Sequence, residues 1–286
     1  MATHAVALPR RRRRTNPWTS ALTYGLALAV AGVCIAPVVY VILGGFRTAG
    51  QIAANPAGLP NPWVIDTYLR VISAGMFWQY VGNSAIVALG TTLGVVALGV
   101  CAAFALSRYR FRGREALYTY FVLGLLFPAA AGILPLYLLL RDLNLENTWW
   151  GVILPQVAYG LPLTIVILRP FLLAIPGELE DAAMIDGSTK LGFFWRILLP
   201  LSRPALVTVG VISFVSSWNA FLLPLLILHD TSLYTLPLGV QQFQGQYSSD
   251  TAAILAYTSL SMMPALLFFL FAERQIVGGL TGAVKG

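Results

Sequence analysis

The chain has 286 residues, 58% of them hydrophobic and 10% charged, with a mean hydropathy of +0.76. Soluble domains carry about 25% charged residues, so a soluble enzyme, a disordered chain and a disulfide-stapled secreted fold are excluded, and an integral membrane protein is the default class. The net charge of +7, from 18 Lys and Arg against 11 Asp and Glu, reads as basic loops that set orientation in a membrane, not as a nucleic-acid surface.

The first 20 residues form a basic segment with an unbroken run from Arg10 to Arg14. The apolar run that follows is too long for the h-region of a signal peptide. Cleavage before Cys34 also fits poorly, because Val33 precedes it and the apolar run continues past it. The arginines are expected to lie beside anionic lipid as a topology anchor.

Uncharged apolar stretches then cover 21–46, 81–106, 116–140, 149–168, 204–228 and 252–272. Each reaches the roughly 20 residues that a helix needs to cross the hydrocarbon core. Lipid offers no partner for unpaired backbone groups, so these spans must be helices. The expectation is an all-α membrane protein with a six-helix domain over 21–272. Pro37, Pro128, Pro135 and Pro264 predict kinks within it. Cys34 and Cys101 both lie in apolar runs and suggest neither a disulfide nor a metal site.

Six spans put both termini on one side, together with 107–115, the long loop 169–203 and the tail 273–286. That side holds 15 of the 18 Lys and Arg, and the other holds only Arg47, Arg70 and Arg141. The asymmetry predicts cytoplasmic N- and C-termini. On the outer side, 47–80 carries Pro56, Pro60 and Pro62 and predicts a short surface helix ending in the interfacial aromatics Phe77, Trp78 and Tyr80. The third outer loop, 229–251, is polar over 241–250.

Several chemistries have no residues to support them. There is no phosphate-binding G-x-x-x-x-G-K-[ST], no H-E-x-x-H, no C-x-x-C and no G-x-S-x-G. The two histidines, His4 and His229, are far apart. All six apolar cores lack Asp, Glu, Lys and Arg, which argues against an ion-coupled secondary carrier with an intramembrane relay. No catalytic residue, metal site or bound cofactor is expected of this chain. A receptor or scaffold needs no chemistry and stays open on composition.

The loop 169–203 is the informative one. Glu178, Glu180 and Asp181 would fill the first turn of a short helix, where the dipole favours anions. Leu179, Ala182 and Ala183 fall at i, i+3 and i+4, which predicts one shared face open to close approach. Asp186-Gly187 would stop the helix, and Ser188 or Thr189 would cap a second one carrying Phe194, Trp195 and Leu198. In the spans, Trp218-Asn219 is the conspicuous polar pair. Its expected role is helix packing through an interhelical hydrogen bond of about 0.6 kcal/mol. Gln156, Tyr159, Ser213, Ser216, Ser217 and Tyr257 are candidates to line a path.

The run Glu180-Asp181-Ala182-Ala183-Met184-Ile185-Asp186-Gly187 closely resembles the EAA loop of ABC-importer permeases, E-A-A-x-x-D-G followed by F-x-x-I-x-L-P, which here continues through Phe194, Ile197, Leu199 and Pro200. The resemblance covers nearly the whole chain and points to the maltose-permease-like branch of carbohydrate importers. Asn83-Ser84, Ala102 through Gly113, Leu134-Pro135-Leu136-Tyr137, Trp218 through Leu225, Thr235-Leu236-Pro237-Leu238-Gly239 and the tail Gly279 through Gly286 occur in order and at matching spacing. The chain departs from the pattern with Asp181 for the family's leading Glu, a tail one residue shorter, and Glu273 for a common Gln.

The resemblance implies a type I ABC-importer permease fold, in the cytoplasmic membrane of a bacterium or archaeon. It implies a second homologous permease as heterodimer partner, two ATPase subunits that bind ATP and Mg, and an extracytoplasmic solute-binding protein. Glu178, Glu180, Asp181, Ala182, Ala183, Asp186 and Gly187 would form the coupling helix toward an ATPase, which Leu280, Thr281, Lys285 and Gly286 of the tail would also reach. Gln244, Gly245, Gln246, Tyr247 and Ser248 would meet the binding protein. The cargo would be a sugar, a polyol or a sugar phosphate.

Overall fold

The computed structural model describes residues 17–244 and 250–283, with side chains for 21–244 and 250–270. The described residues are helical and contain no β-strand. The first helix, α1 (Pro17–Gly44), exposes apolar side chains around most of its length, among them Leu28 at 74% and Val33 at 75%. Such a surface suits lipid, not water. At its far end Gly44 lets Leu255 pack against the backbone, since a Cβ there would come within 2.4 Å of the Leu255 side chain.

The segment that follows holds two short helices, α2 (Ala49–Ala54) and α3 (Asp66–Ser73), where one was expected. Thr48 and Gln51 close a reciprocal capping box on α2. Arg47 is 2% exposed and donates to the carbonyls of Gln51, Asn55 and Pro56, so its charge sits on the carbonyl end of α2. The aromatic group does not end a surface helix. Phe77 and Tyr80 are buried in the opening turns of α4 (Gly75–Arg108), and Trp78 is exposed.

The longest helix–helix contact joins α4 to α7 (Trp149–Ala174). Small residues make it possible. A Cβ on Gly94 would meet Val157 at 2.7 Å, and one on Gly160 would meet Val95 at 2.7 Å, so each valine fills the notch left by the other helix's glycine. In lipid, where burial supplies no drive between helices, such close approach is what holds spans together.

The third apolar stretch is not one helix. It divides into α5 (Arg114–Gly124) and α6 (Ile133–Asp142), joined by turns over 125–132. Pro128 cannot donate in a ladder, and the freed groups are met locally, as Leu126 N–H donates to Leu123 and Ala131 N–H to Pro128. The fifth stretch also breaks: α11 (Arg203–Trp218) ends before α12 (Leu222–Ile227). Pro224 explains it, because a helix restarting at Leu222 puts its missing N–H among the first orphan donors. By contrast α7 runs intact through Pro155, Pro162 and Pro170 to Ala174, so the loop expected from 169 opens six residues later.

The last helix, α13 (Thr251–Ala283), is continuous past Pro264 and past the expected end at 272. Among the described residues four helices are long and apolar enough to cross a membrane: Ala21–Gly44, Gly75–Arg108, Trp149–Ala174 and Thr251–Leu270. A fifth is added if Lys190–Leu201 and Arg203–Trp218, bent by 75°, count as one.

Candidate coupling segment and membrane cavity

Between α7 and α11 lie α8 (Glu178–Ile185), α9 (Lys190–Phe193), a π-helical turn Phe194–Leu198 and α10 (Leu199–Leu201). Helix α8 stops in a Schellman motif: Gly187 N–H donates to Met184 at 3.1 Å and Ser188 N–H to Ala183 at 2.9 Å. Gly187 sits at φ +80°, the left-handed region that L side chains avoid. Of the two cap candidates, Thr189 is the one used, its Oγ1 accepting from Gly192 N–H at 3.1 Å. Pro200 cannot donate to Arg196, and the wider turn just before it places both Phe194 and Leu198 inward.

The faces of α8 differ from the expected stripe. Ala183 is 5% exposed and packs inward, whereas Leu179 and Ala182 face out. The inward row is Glu180, Ala183 and Met184. Ala183, Phe193, Phe194 and Leu198 join Val100 and Phe104 of α4, Leu168 and Leu172 of α7, and Ala205 and Val209 of α11 in one buried cluster. The outward side presents Glu178, Asp181, Ala182, Asp186 and Ile185, the last 86% exposed. The neighbouring acids Glu180 and Asp181 are therefore divided: Glu180 lies 3.8 Å from Arg108, and Asp181 is exposed.

Two arginines brace this end of the bundle. Arg108 donates to the carbonyls of Leu172 at 2.9 Å and Ile175 at 2.8 Å. Arg169, 7% exposed, donates to Leu106 at 3.1 Å and pairs with Glu115 at 2.5 Å, and its guanidinium lies 4.0 Å over the Tyr118 ring. The hydrogen bond from Arg169, assisted by Arg114, holds the Glu115 carboxyl below its usual range.

Deeper in the bundle, α4, α7, α11 and the break between α5 and α6 enclose a cavity of about 330 Å³. Of the expected path residues, Gln156, Tyr159, Ser213, Ser216 and Ser217 line it. Tyr257 does not: it is 2% exposed and its hydroxyl donates to Leu236. Trp218 is 4% exposed and its Nε1 donates across to Ser261 at 3.3 Å, a packing position. Asn219 caps its own helix by donating to Val215.

Sequence reading did not find what Asn83 and Ser84 do. Asn83 Nδ2 donates to Ser232 and Tyr234, and Ser84 Oγ accepts from Leu236 N–H at 2.7 Å. Gly239 lies against Tyr257 and Tyr80, where a Cβ would fall 2.0 Å from the Tyr257 hydroxyl. These residues pin 231–243 onto α4 and α13. Of the expected binding-protein contacts, Gln244 is exposed, and Gly245, Gln246, Tyr247 and Ser248 lie outside the described residues. The ends of that stretch meet, with Asp250 N–H donating to Phe243 and Asp250 paired to Arg70 at 2.7 Å. Leu280 and Thr281 fall within α13, with side chains outside the described set, as are Lys285 and Gly286 altogether.

A long-helix bundle with a capped, half-exposed helix at one end and a cavity within is the build of a membrane transport component. Residues 90–276 match the family described as binding-protein-dependent transport system inner membrane component. The chain is 32% identical over 281 residues to the arabinooligosaccharides transport system permease of Halalkalibacterium halodurans, covering 96% of this chain and all of that one. It is 33% identical to the trehalose transport system permease of Mycobacterium tuberculosis, covering 96% and 99%. Among solved structures, a bacterial ABC transporter involved in import of the acidic polysaccharide alginate superposes with a TM-score of 0.78 at 22% identity, over 91% of this chain and 97% of that one. The chain belongs to the family of inner-membrane components of binding-protein-dependent transport systems, and it has the fold of an ABC-importer permease.

Proposed function

We propose that the chain is one half of a heterodimeric permease in an ATP-driven importer of carbohydrates or related polyols and sugar phosphates. Six spans would cross the cytoplasmic membrane of a bacterium or archaeon, with both termini inside. The third and fifth spans would each cross as two helical pieces, α5 with α6 and α11 with α12. The named cargoes of the curated relatives support the carbohydrate class.

One observation carries the coupling reading: α8 is bare on one side and fixed on the other. Ile185 and Asp181 face outward, and Ala183 and Phe193 share a buried cluster with α4, α7 and α11. An ATPase subunit gripping the outward side would move the ends of three spans together. The ATPases would hold ATP and Mg, and this chain would bind neither. The tail, with Leu280, Thr281, Lys285 and Gly286, would add a second ATPase contact. On the opposite side Gln244 to Ser248 would meet the solute-laden binding protein, on a stretch whose ends Asp250 ties down.

The test is a mild-detergent pull-down from native membranes with a tag at Met1. Co-purification of a second permease and an ATPase, with ATP hydrolysis stimulated by the binding protein, is the expected result. A chain recovered alone even after cross-linking would return it to a receptor, a scaffold or a self-contained carrier.

A further inference from the structure

The exposed charges at the α8 end of the bundle are sorted by sign. Among the described residues there, the exposed acids without an ion pair are Glu178, Asp181 and Asp186, all on α8. The exposed cations stand elsewhere: Arg110 and Arg112 on the elbow between α4 and α5, and Lys190, Arg196 and Arg203 after α8. Among the described residues the four arginines have no hydrogen bond or ion pair. The two basic segments touch. Lys190 Nζ lies 4.8 Å over the Tyr109 ring, and Phe104 packs against Tyr109 and Phe194, with ring centres 5.5 and 4.8 Å apart.

Large apolar side chains are exposed among these cations: Phe111 at 44%, Leu191 at 66%, Trp195 at 65% and Leu201 at 48%. An open depression of about 540 Å³ runs along Arg110, Phe111, Gly113 and Arg114. Its one carboxylate, Glu115, is already matched by Arg114 and Arg169. The stretch Lys190–Leu201 is bent by 75° from α11. Spans tilt by about 20° on average, so where α11 crosses the bilayer, that stretch runs close to the membrane plane. A helix in that plane with exposed Trp and Leu beside Arg has the build of an interfacial segment, its apolar groups at the acyl boundary and its guanidinium groups among phosphates.

We infer that the elbow 109–113 and the stretch 190–203 form one binding surface for anionic phospholipid headgroups of the cytoplasmic leaflet, and that lipid bound there supports the action of α8. The side of the membrane and the role of α8 rest on the importer reading above. Acidic α8 repels the same headgroups, so this end of the bundle turns one side to lipid and leaves the other to a protein. A guanidinium pairs bidentately with phosphate, and each basic residue near an anionic surface adds about fivefold to binding. Phe193, Phe194 and Leu198 share a buried cluster with Ala183 of α8, so a stretch held by lipid gives α8 a fixed base.

The experiment uses the complex as purified, or the chain alone where no partner comes with it. Retained lipid is counted by native mass spectrometry with phosphatidylglycerol or phosphatidylcholine added. The proteins are wild type, Arg110→Gln/Arg112→Gln, Arg196→Gln/Arg203→Gln and the lysine version of each pair, with single substitutions where a pair fails to fold. Binding-protein-stimulated ATP hydrolysis is then followed in nanodiscs of phosphatidylcholine with a rising share of phosphatidylglycerol. Wild type is expected to retain phosphatidylglycerol over phosphatidylcholine and to hydrolyse ATP faster as the anionic share rises. Each glutamine pair is expected to weaken phosphatidylglycerol retention about tenfold and to shift the hydrolysis curve to a higher anionic share, with the lysine pairs close to wild type.

Equal retention of the two lipids by wild type, or unchanged retention by the glutamine variants, would overturn the lipid surface. So would displacement of the bound lipid by glycerol phosphate, which would assign the arginines to a soluble phosphate, or capture of the ATPase in place of lipid by a photo-cross-linker at position 195. A hydrolysis curve indifferent to the anionic share would overturn the support of α8. If no ATPase comes with the chain, the importer reading fails, while lipid retention by the chain alone still decides the surface.

Discussion

Arg108 and Arg169 hold each other's helices. Arg108, on the last turn of α4, donates to Leu172 and Ile175 at the carbonyl end of α7, while Arg169, near the end of α7, donates to Leu106 of α4. Each cation sits where a helix dipole is negative and its last carbonyls lack partners. The exchange ties the two most extensively packed helices together at the end that carries α8.

A lysine cannot replace either arginine. Arg108 sets one nitrogen on the Leu172 and Ile175 carbonyls and another toward Glu180, and Arg169 sets one on the Leu106 carbonyl and another on Glu115. One ammonium does not reach a carbonyl and a carboxylate in this way at once. Arg108→Lys and Arg169→Lys are each expected to destabilise the purified protein by about 1–3 kcal/mol. A thermal-unfolding series in one detergent checks this. Unfolding temperatures equal to wild type would show the two braces to be idle.

Asp181 and Glu180 should separate in their effects. Asp181→Asn, on the exposed side, is expected to leave the unfolding temperature unchanged and to lower uptake per ATP hydrolysed. Glu180→Gln, facing Arg108, is expected to lower stability by about 1 kcal/mol or less, since the pair is 3.8 Å apart and partly exposed. Measuring both quantities on both variants decides the matter, and matching profiles would contradict the division of faces.

Gly187 holds a conformation that costs an L side chain about 1–2 kcal/mol. Gly187→Val is expected to loosen the Schellman stop and weaken coupling, with Gly187→Asn milder because Asn tolerates the left-handed region. Limited proteolysis between α8 and α9 gives the readout: cleavage should rise in the order wild type, Asn, Val.

The ion pair at Glu115 gives a pH signature. Its folded pKa is depressed by Arg169, so its stabilisation is fully present above the unfolded value of about 4.3 and is lost as pH falls through the folded pKa. The stability gap between wild type and Glu115→Gln should hold constant from about pH 7 to 5 and close in stronger acid. A gap that persists at the acid end would mean that shape, not charge, makes the contact.

Much of α8 was legible because its signals are local. Acids in the first turn, a glycine after Asp186 and a hydroxyl residue before α9 each act within a few residues. Which side of α8 turns inward was not legible, since Leu179, Ala182 and Ala183 are equivalent by spacing, and Ala183 is set apart by the buried cluster it joins with residues of α4, α7 and α11. Apolar length located six stretches but not the breaks at Pro128 and ahead of Pro224, because hydropathy measures the solvent and not the backbone ladder. Gln156, Ser213 and Ser217 stood out as polar residues among apolar ones. The role of Asn83 stayed hidden because its acceptors, Ser232 and Tyr234, lie about 150 residues away.

Helix α7 keeps its line through Pro155, Pro162 and Pro170, yet each proline deletes one rung of its ladder, about two turns apart. Its first turn is capped by Thr148 and its last is clasped by Arg108. A rod fixed at both ends and weakened in between yields by bowing. The stretch that bows, Gln156 to Ile167, is a wall of the cavity. The width of that cavity therefore follows the curvature of one helix, and that curvature answers to whatever moves its clasped end.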